Sequence, residues 1–258
     1  MYRKSVTKDF SFNVGATFTF AKNKIIFNDE GTTVPEPYQK AEGKPVGSFL
    51  LYEVIGIYRT ADDLAKYPGL NGTARLGDAI YRDANGDGRI NSDDRVRSNL
   101  SNAPQIQYGI LFGAQYKGFD LSGNFMGADR AIVQYDYIIA AGNNTPEYYI
   151  KNAWSPTNVN GTLPRFGRSL PQQGQANTLN TREVSFIRLK NIELGYTIPV
   201  NVLRRVGLQN VRVYVNGYNL LTFDPLKRDG LQDPEEVNPQ GWQFPQTKSV
   251  NFGIIINL

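Results

Sequence analysis

Residues 10–20 alternate apolar and polar positions without a break. Phe10, Phe12, Val14, Ala16, Phe18 and Phe20 share one parity, and Ser11, Asn13, Gly15, Thr17 and Thr19 share the other. Period two marks a strand with one apolar face. The run is longer than a common globular strand of about 5–6 residues and matches the roughly 9–11 residues of a strand that crosses a membrane. The pattern recurs. In 105–116, Ile106, Tyr108, Ile110, Phe112, Ala114 and Tyr116 face one way; in 119–127, Phe119, Leu121, Gly123, Phe125 and Gly127 do. Val211, Val213 and Val215 set the phase of 211–219, and Val250, Phe252, Ile254, Ile256 and Leu258 that of 249–258. In 183–198 the phase slips: Ile187 and Leu189 hold one parity, while Ile192, Leu194, Tyr196 and Ile198 hold the other. A β-bulge near Lys190-Asn191 accounts for that slip.

Six strands are therefore predicted, over 9–21, 105–117, 118–128, 183–198, 210–222 and 247–258. Lys117-Gly118 and Pro199 to Gln209 are short connections, whereas 22–104, 129–182 and 223–246 are long. Short and long alternate strictly, as periplasmic turns and extracellular loops do in an outer-membrane barrel. The parity of strand directions holds only if 22–104 contains an even number of spanning strands. Gly47 to Tyr58 is accordingly read as part of an extracellular excursion. The turn exit Lys8-Asp9-Phe10-Ser11-Phe12 echoes Lys117-Gly118-Phe119-Asp120-Leu121.

Composition narrows the picture. With 40 % hydrophobic and 20 % charged residues, the chain has the balance of a folded protein, not a disordered one. Mean hydropathy is negative and no apolar run nears the ~18 residues of a membrane helix; a β-barrel survives that test because its strands average out. Tyr 15 and Phe 14 against Trp 2 suit strands and aromatic girdles, but a soluble sandwich shows the same mix. Having no Cys and no His removes Ser–His and Cys–His catalysis and ordinary zinc sites. A net charge of +4 comes from scattered basic residues, which gives no nucleic-acid reading. Met1-Tyr2-Arg3-Lys4 leads into no apolar segment, so an exported protein of this kind is expected to carry its signal upstream of this chain.

One motif carries chemistry. Asp83-Ala84-Asn85-Gly86-Asp87-Gly88-Arg89-Ile90-Asn91-Ser92-Asp93-Asp94 fits the EF-hand loop D-x-[DN]-x-[DN]-G-x₅-E at every position except the last. Asp83, Asn85 and Asp87 offer side-chain oxygens, and Gly88 allows the sharp turn. Arg89 offers its carbonyl, Asn91 a ligand taken directly or through water, and Asp94 closes the loop. The expected ion is Ca²⁺, in an ordering role. An Asn/Asp/Gly turn without metal remains the alternative.

Other groups are weaker candidates. Asp129, Asp136 and Glu147 are imaginable as hydrolytic carboxylates, but no spacing constrains them and solvated loop charges are the simpler reading. Tyr135, Tyr137, Tyr148, Tyr149 and Trp154 suit sugar stacking, an interfacial girdle or loop packing equally. Arg212, Glu193, Arg188 and Lys190 are candidates for the lumen; alternation argues for it in Arg212, and the phase slip leaves Arg188 and Lys190 ambiguous.

Five segments carry a resemblance. Gly77-Asp78-Ala79-Ile80-Tyr81-Arg82-Asp83-Ala84-Asn85-Gly86-Asp87-Gly88, Tyr116-Lys117-Gly118-Phe119-Asp120-Leu121-Ser122 and Ala153-Trp154-Ser155-Pro156-Thr157-Asn158 are three of them. Ser185-Phe186-Ile187-Arg188-Leu189-Lys190-Asn191-Ile192-Glu193-Leu194-Gly195-Tyr196 and Val213-Tyr214-Val215-Asn216-Gly217-Tyr218-Asn219-Leu220-Leu221-Thr222 are the others. In order and spacing these resemble the C-terminal barrel portion of SusC/RagA-family TonB-dependent outer-membrane transporters. The resemblance covers nearly all of this chain and roughly the last quarter of such a protein, without its plug or signal peptide. It implies an all-β fold: the C-terminal antiparallel strands of a large, here partial, outer-membrane β-barrel with long extracellular loops. It further implies import of oligosaccharide or peptide across the bacterial outer membrane. The implied partners are a SusD-like surface lipoprotein, outer-membrane lipid, and TonB acting through parts of such a protein outside this chain. A C-terminal aromatic is usual in outer-membrane barrels; Leu258 departs from it. No enzymatic activity is expected.

Two other readings stay open at this level. One is a soluble secreted β-domain that binds carbohydrate and uses calcium to order a loop. The other is a calcium-dependent glycosidase, disfavoured by the lack of placed carboxylate pairs.

Overall fold

The computed structural model describes residues 1–31, 36–135, 147–166, 175–204, 207–226, 233–235 and 246–257. Asp136, Tyr137 and Leu258 from the sequence reading lie outside them. In chain order the strands are β1 (Tyr2–Ser5), β2 (Phe10–Phe20), β3 (Ser48–Tyr52), β4 (Val54–Ile57), β5 (Ala79–Tyr81) and β6 (Arg95–Ser101). Then come β7 (Ile106–Tyr116), β8 (Phe119–Gln134), β9 (Thr181–Thr197), β10 (Asn210–Phe223) and β11 (Ser249–Asn257). Seven of them form one antiparallel sheet in the order β1-β2-β7-β8-β9-β10-β11.

The predicted strands are β2 and β7 to β11. Their register aligns like with like: Val14 pairs with Phe112, Ala16 with Ile110, Ala114 with Leu121, and Val213 with Ile254. A slip of one residue would set polar positions against this apolar band, so the pattern itself specifies the pairing. β2 and β7 are direct neighbours although 22–104 lies between them in sequence. Among its described residues, the excursion adds no strand to the main sheet. β1 was not anticipated, because Tyr2-Arg3-Lys4-Ser5 shows no alternation; it pairs with residues 11–14 of β2.

The phase slip in β9 is a bulge. Asn124 and Phe125 of β8 face Asn191 and Leu189, skipping Lys190. On the other side, Tyr218 and Leu221 of β10 face the same two residues, with Asn219 at φ 53° between them. β8 runs past the expected end at 128 for a similar reason. Its ladder shifts between Ala128 and Ala131, across Arg130 at φ 61°, and the reset phase carries the strand on to Gln134.

The sheet is a single open layer, and its apolar face is bare: Phe18 is 69 % exposed, Ile254 65 % and Phe252 84 %. A soluble protein would cover such a face; a barrel wall gives it to lipid. Buried side chains gather instead where the ends of β8 and β9 meet the long connections, and inside the excursion. Val133, Tyr135, Tyr149, Leu163, Val184, Phe186 and Leu226 form one cluster. Tyr52, Leu70, Ala79, Tyr81 and Ile90 form another inside the excursion. There β3 pairs with β6 and β4 with β5, beside the short helix α1 (Ala61–Lys66) capped by Thr60.

Candidate functional site

The face of the sheet opposite the apolar band carries an ionic ladder. Arg212 of β10 donates from Nε to Asp120 Oδ2 at 3.0 Å and from Nη2 to Glu193 Oε1 at 2.7 Å. Asn251 Nδ2 continues the row to Asn216 Oδ1 at 3.0 Å. Arg212 is thus where alternation put it, and the candidate Glu193 joins it there. Asp120 was missed as their partner, although its parity in β8 places it on this face.

Arg188 and Lys190 share the same face, which resolves their ambiguity. Arg188 is fully buried. It donates from Nε to Thr222 Oγ1 at 2.9 Å and from Nη2 to Asp233 at 2.5–2.6 Å, and it pairs through Nη1 with Glu235. Lys190 Nζ also reaches Glu235, at 2.8 Å. Asp233 and Glu235 belong to the connection between β10 and β11. No sequence pattern singles them out, because the pairing spans 45 residues or more. Beside this cluster opens a cavity of about 490 Å³, lined by Thr17, Thr19, Met126, Phe186, Pro234 and Glu235 among others.

The EF-hand-like segment is a self-satisfied loop. Asp83 accepts from the N–H groups of Gly86 (2.7 Å) and Gly88 (2.8 Å), Asn85 from Asp87 (3.0 Å), and Asp87 from Arg89 (2.8 Å). Asp94, 1 % exposed, closes the loop by accepting from Ala84 and Asn91, each at 2.8 Å. Asn91 Oδ1 in turn accepts from Asp93 N–H. The buried amide of Gln39 clamps the loop end through the carbonyls of Ser92, Asp93 and Arg95. The six expected ligand positions thus lie in one loop. Among the described residues, however, no three acidic side chains converge on a common point; the carboxylates are turned to backbone amides.

The remaining candidates do not assemble. Glu147 pairs with Lys151 at 2.7 Å on an exposed helical turn, which holds its carboxyl below the usual carboxylate range. Asp129 caps the N–H of Arg130. Tyr135 and Tyr149 are core residues and Tyr148 packs against them, so these rings serve loop packing. Trp154 lies on Gly77, where Asp78 pairs with Arg165 at 2.6 Å. Arg59 donates to the carbonyls of Val159 and Gly161. These contacts knot the excursion to the 147–166 segment.

A one-layer sheet that is bare and apolar outside, ionic inside, and weighted with folded connections defines a section of outer-membrane β-barrel wall. No family model matches the chain, but known proteins do. It is 30 % identical over 236 residues to TonB-dependent receptor P3 of Formosa agariphila, covering 86 % of this chain and 23 % of that one. It is 24 % identical over 261 residues to TonB-dependent receptor SusC of Bacteroides thetaiotaomicron, covering 96 % and 24 %. The solved RagAB peptide importer in its open-open state superposes with a TM-score of 0.71 at 23 % identity, over 99 % of this chain and 27 % of that one. The chain spans about a quarter of the length of these relatives. These relatives bear out the resemblance read from the sequence, to a barrel stretch of SusC/RagA-type TonB-dependent receptors.

Proposed function

We propose that this chain supplies barrel wall and extracellular loops to a TonB-dependent transporter that imports oligosaccharide or peptide across the bacterial outer membrane. The observation that carries the reading is the two-faced sheet: Phe18, Phe252 and Ile254 bare on one side, and the Arg212–Asp120–Glu193 row on the other. The kinship to SusC and to a peptide importer supports the transport class. A SusD-like surface lipoprotein would meet the knotted loops, and TonB would act through parts outside this stretch. Calcium at Asp83–Asp94 belongs to the same proposal, as a loop-ordering ion sharing oxygens already used by the backbone.

The test is fractionation followed by uptake. Cells making the protein should hold it in the outer membrane, released by detergent and not by salt. They should take up labelled oligosaccharide or oligopeptide, and lose that uptake on deletion. Recovery in the soluble fraction with retained glycan binding would favour a secreted carbohydrate-binding domain instead.

A further inference from the structure

Two arginines on the inner face are neutralised in different ways. Arg212 is matched by Asp120 and Glu193, both fixed in neighbouring wall strands. Arg188 has no such match: its cross-strand neighbours are Met126 and Thr222, and the wall offers it one hydroxyl and the ring of Phe186, but no carboxylate. Among the described residues, its charge is compensated by Asp233 and Glu235 alone, from a connection that is not part of the sheet. A buried guanidinium needs a carboxylate. Here both carboxylates, Asp233 and Glu235, come from outside the sheet.

We propose that Arg188 and Lys190 form a carboxylate-binding position on the inner wall, which the chain's own Asp233–Glu235 segment fills until a carboxylate-bearing solute replaces it. The import reading gives this its setting; the geometry stands apart from it. Glu235 is at once a partner of both cations and part of the cavity lining, so the position opens onto that cavity. Asp233 Oδ1 accepts the N–H of Glu235 at 3.0 Å, a tight turn that aims both carboxylates at one guanidinium. Removing the segment would leave two adjacent positive charges beside walls of Met126, Ala131, Val184 and Phe186. The solute that fits carries a carboxylate on an apolar body. Bidentate contact with Arg188 would replace the internal one.

Pro234 is buried between the two acids, and the chain has no cysteine. A Pro234→Cys variant in outer-membrane preparations therefore reports release of the segment by its rate of maleimide labelling. Labelling should be slow in that variant. With Asp233→Asn and Glu235→Gln added it should rise by about tenfold or more, the effect of losing one charge-assisted hydrogen bond. N-acetylphenylalanine should speed labelling of the parent variant, and its neutral amide should not. Arg188→Lys, which keeps the charge, guards against misfolding and should label at an intermediate rate. Equal rates with and without the two acids, or equal effects of acid and amide, would overturn the proposal. Uptake is scored separately, so absent import with acid-dependent labelling tells against the transport reading and not against this one.

Discussion

Arg212 on β10 reaches Asp120 on β8 across the whole width of β9, and it does so over Gly195. Gly195 pairs with Tyr214 on one side and with Asp120 on the other. A Cβ at 195 would lie 2.2 Å from Arg212 Nη2. The missing side chain is the gap through which the guanidinium passes.

Gly195→Ala is therefore expected to push Arg212 off its carboxylates. All three ionic partners are less than a third exposed, so the loss should be about 1–3 kcal/mol, the range for hydrogen bonds to charged groups. Denaturant unfolding of the refolded protein measures it. Arg212→Gln in the Gly195→Ala background should add little, because both changes remove the same contact. Full additivity would mean that Gly195 acts by some other route.

The two faces should tolerate charge unequally. Val213 and Ile254 are cross-strand neighbours on the bare apolar face. Lysine at either position should cost ~2–4 kcal/mol near mid-bilayer and lower the amount of assembled protein in the outer membrane. Asn216→Lys, on the ionic face beside Glu193, should assemble as the parent does. Equal assembly of all three would remove the lipid-facing assignment.

Legibility followed the physics of each element. β2, β7, β10 and β11 were readable because period two is imposed by a sheet with one apolar and one ionic face. Even the Lys190 bulge showed, since it reverses the phase of Ile187 and Leu189 against Ile192 and Leu194. The bulge at Asp129-Arg130 did not, because Ala131-Ile132-Val133 is apolar on both parities once packed under the loops. The excursion's small sheets stayed hidden, as strands of 3–7 residues leave too few alternations to read. In the candidate site, Arg212 was visible from parity alone. Asp233 and Glu235 were not, since only the folded connection brings them to Arg188.

Tyr58 should resist alkali. It is 1 % exposed and donates to the Pro68 carbonyl at 2.9 Å. Burial, with Asp78 and Asp63 nearby, pushes its phenol up from 10.0 to about 12. The fold thus favours the protonated form. That contribution is whole below pH 10 and is lost as pH rises toward 12. Ultraviolet difference titration should show one late-ionising phenol disappear in Tyr58→Phe, and the variant's stability should fall less steeply over this range.

The knot between the excursion and the 147–166 segment should hinge on Gly77. Its φ is +89°, and a Cβ there would lie 2.2 Å from Trp154 Cε3 and 2.8 Å from Arg165 Cβ. Gly77→Ala combines a left-handed backbone, which costs a side-chain-bearing residue ~1–2 kcal/mol, with overpacking of ~1–3 kcal/mol. Limited proteolysis should then cut near Trp154 while the strands remain protected. Asp78→Asn removes the ion pair with Arg165 but leaves the ring seated, so it should loosen the knot less.

Calcium can be separated from the loop's own hydrogen bonds by a single charge. Asp83→Ala would be uninformative, since Asp83 holds the N–H groups of both Gly86 and Gly88 and the loop would open in any solvent. Asp87→Asn is the better probe: an amide oxygen still accepts from Arg89 N–H, as Asp87 Oδ1 does, while the anionic ligand is gone. With calcium as a loop-ordering ion, saturating Ca²⁺ should protect the parent's excursion from protease by up to ~2.7 kcal/mol at a hundredfold excess over Kd. The Asp87→Asn variant should show little of that protection and match the parent in chelator. Identical proteolysis of both proteins with and without calcium would instead mean that backbone amides and the Gln39 clamp hold the loop by themselves.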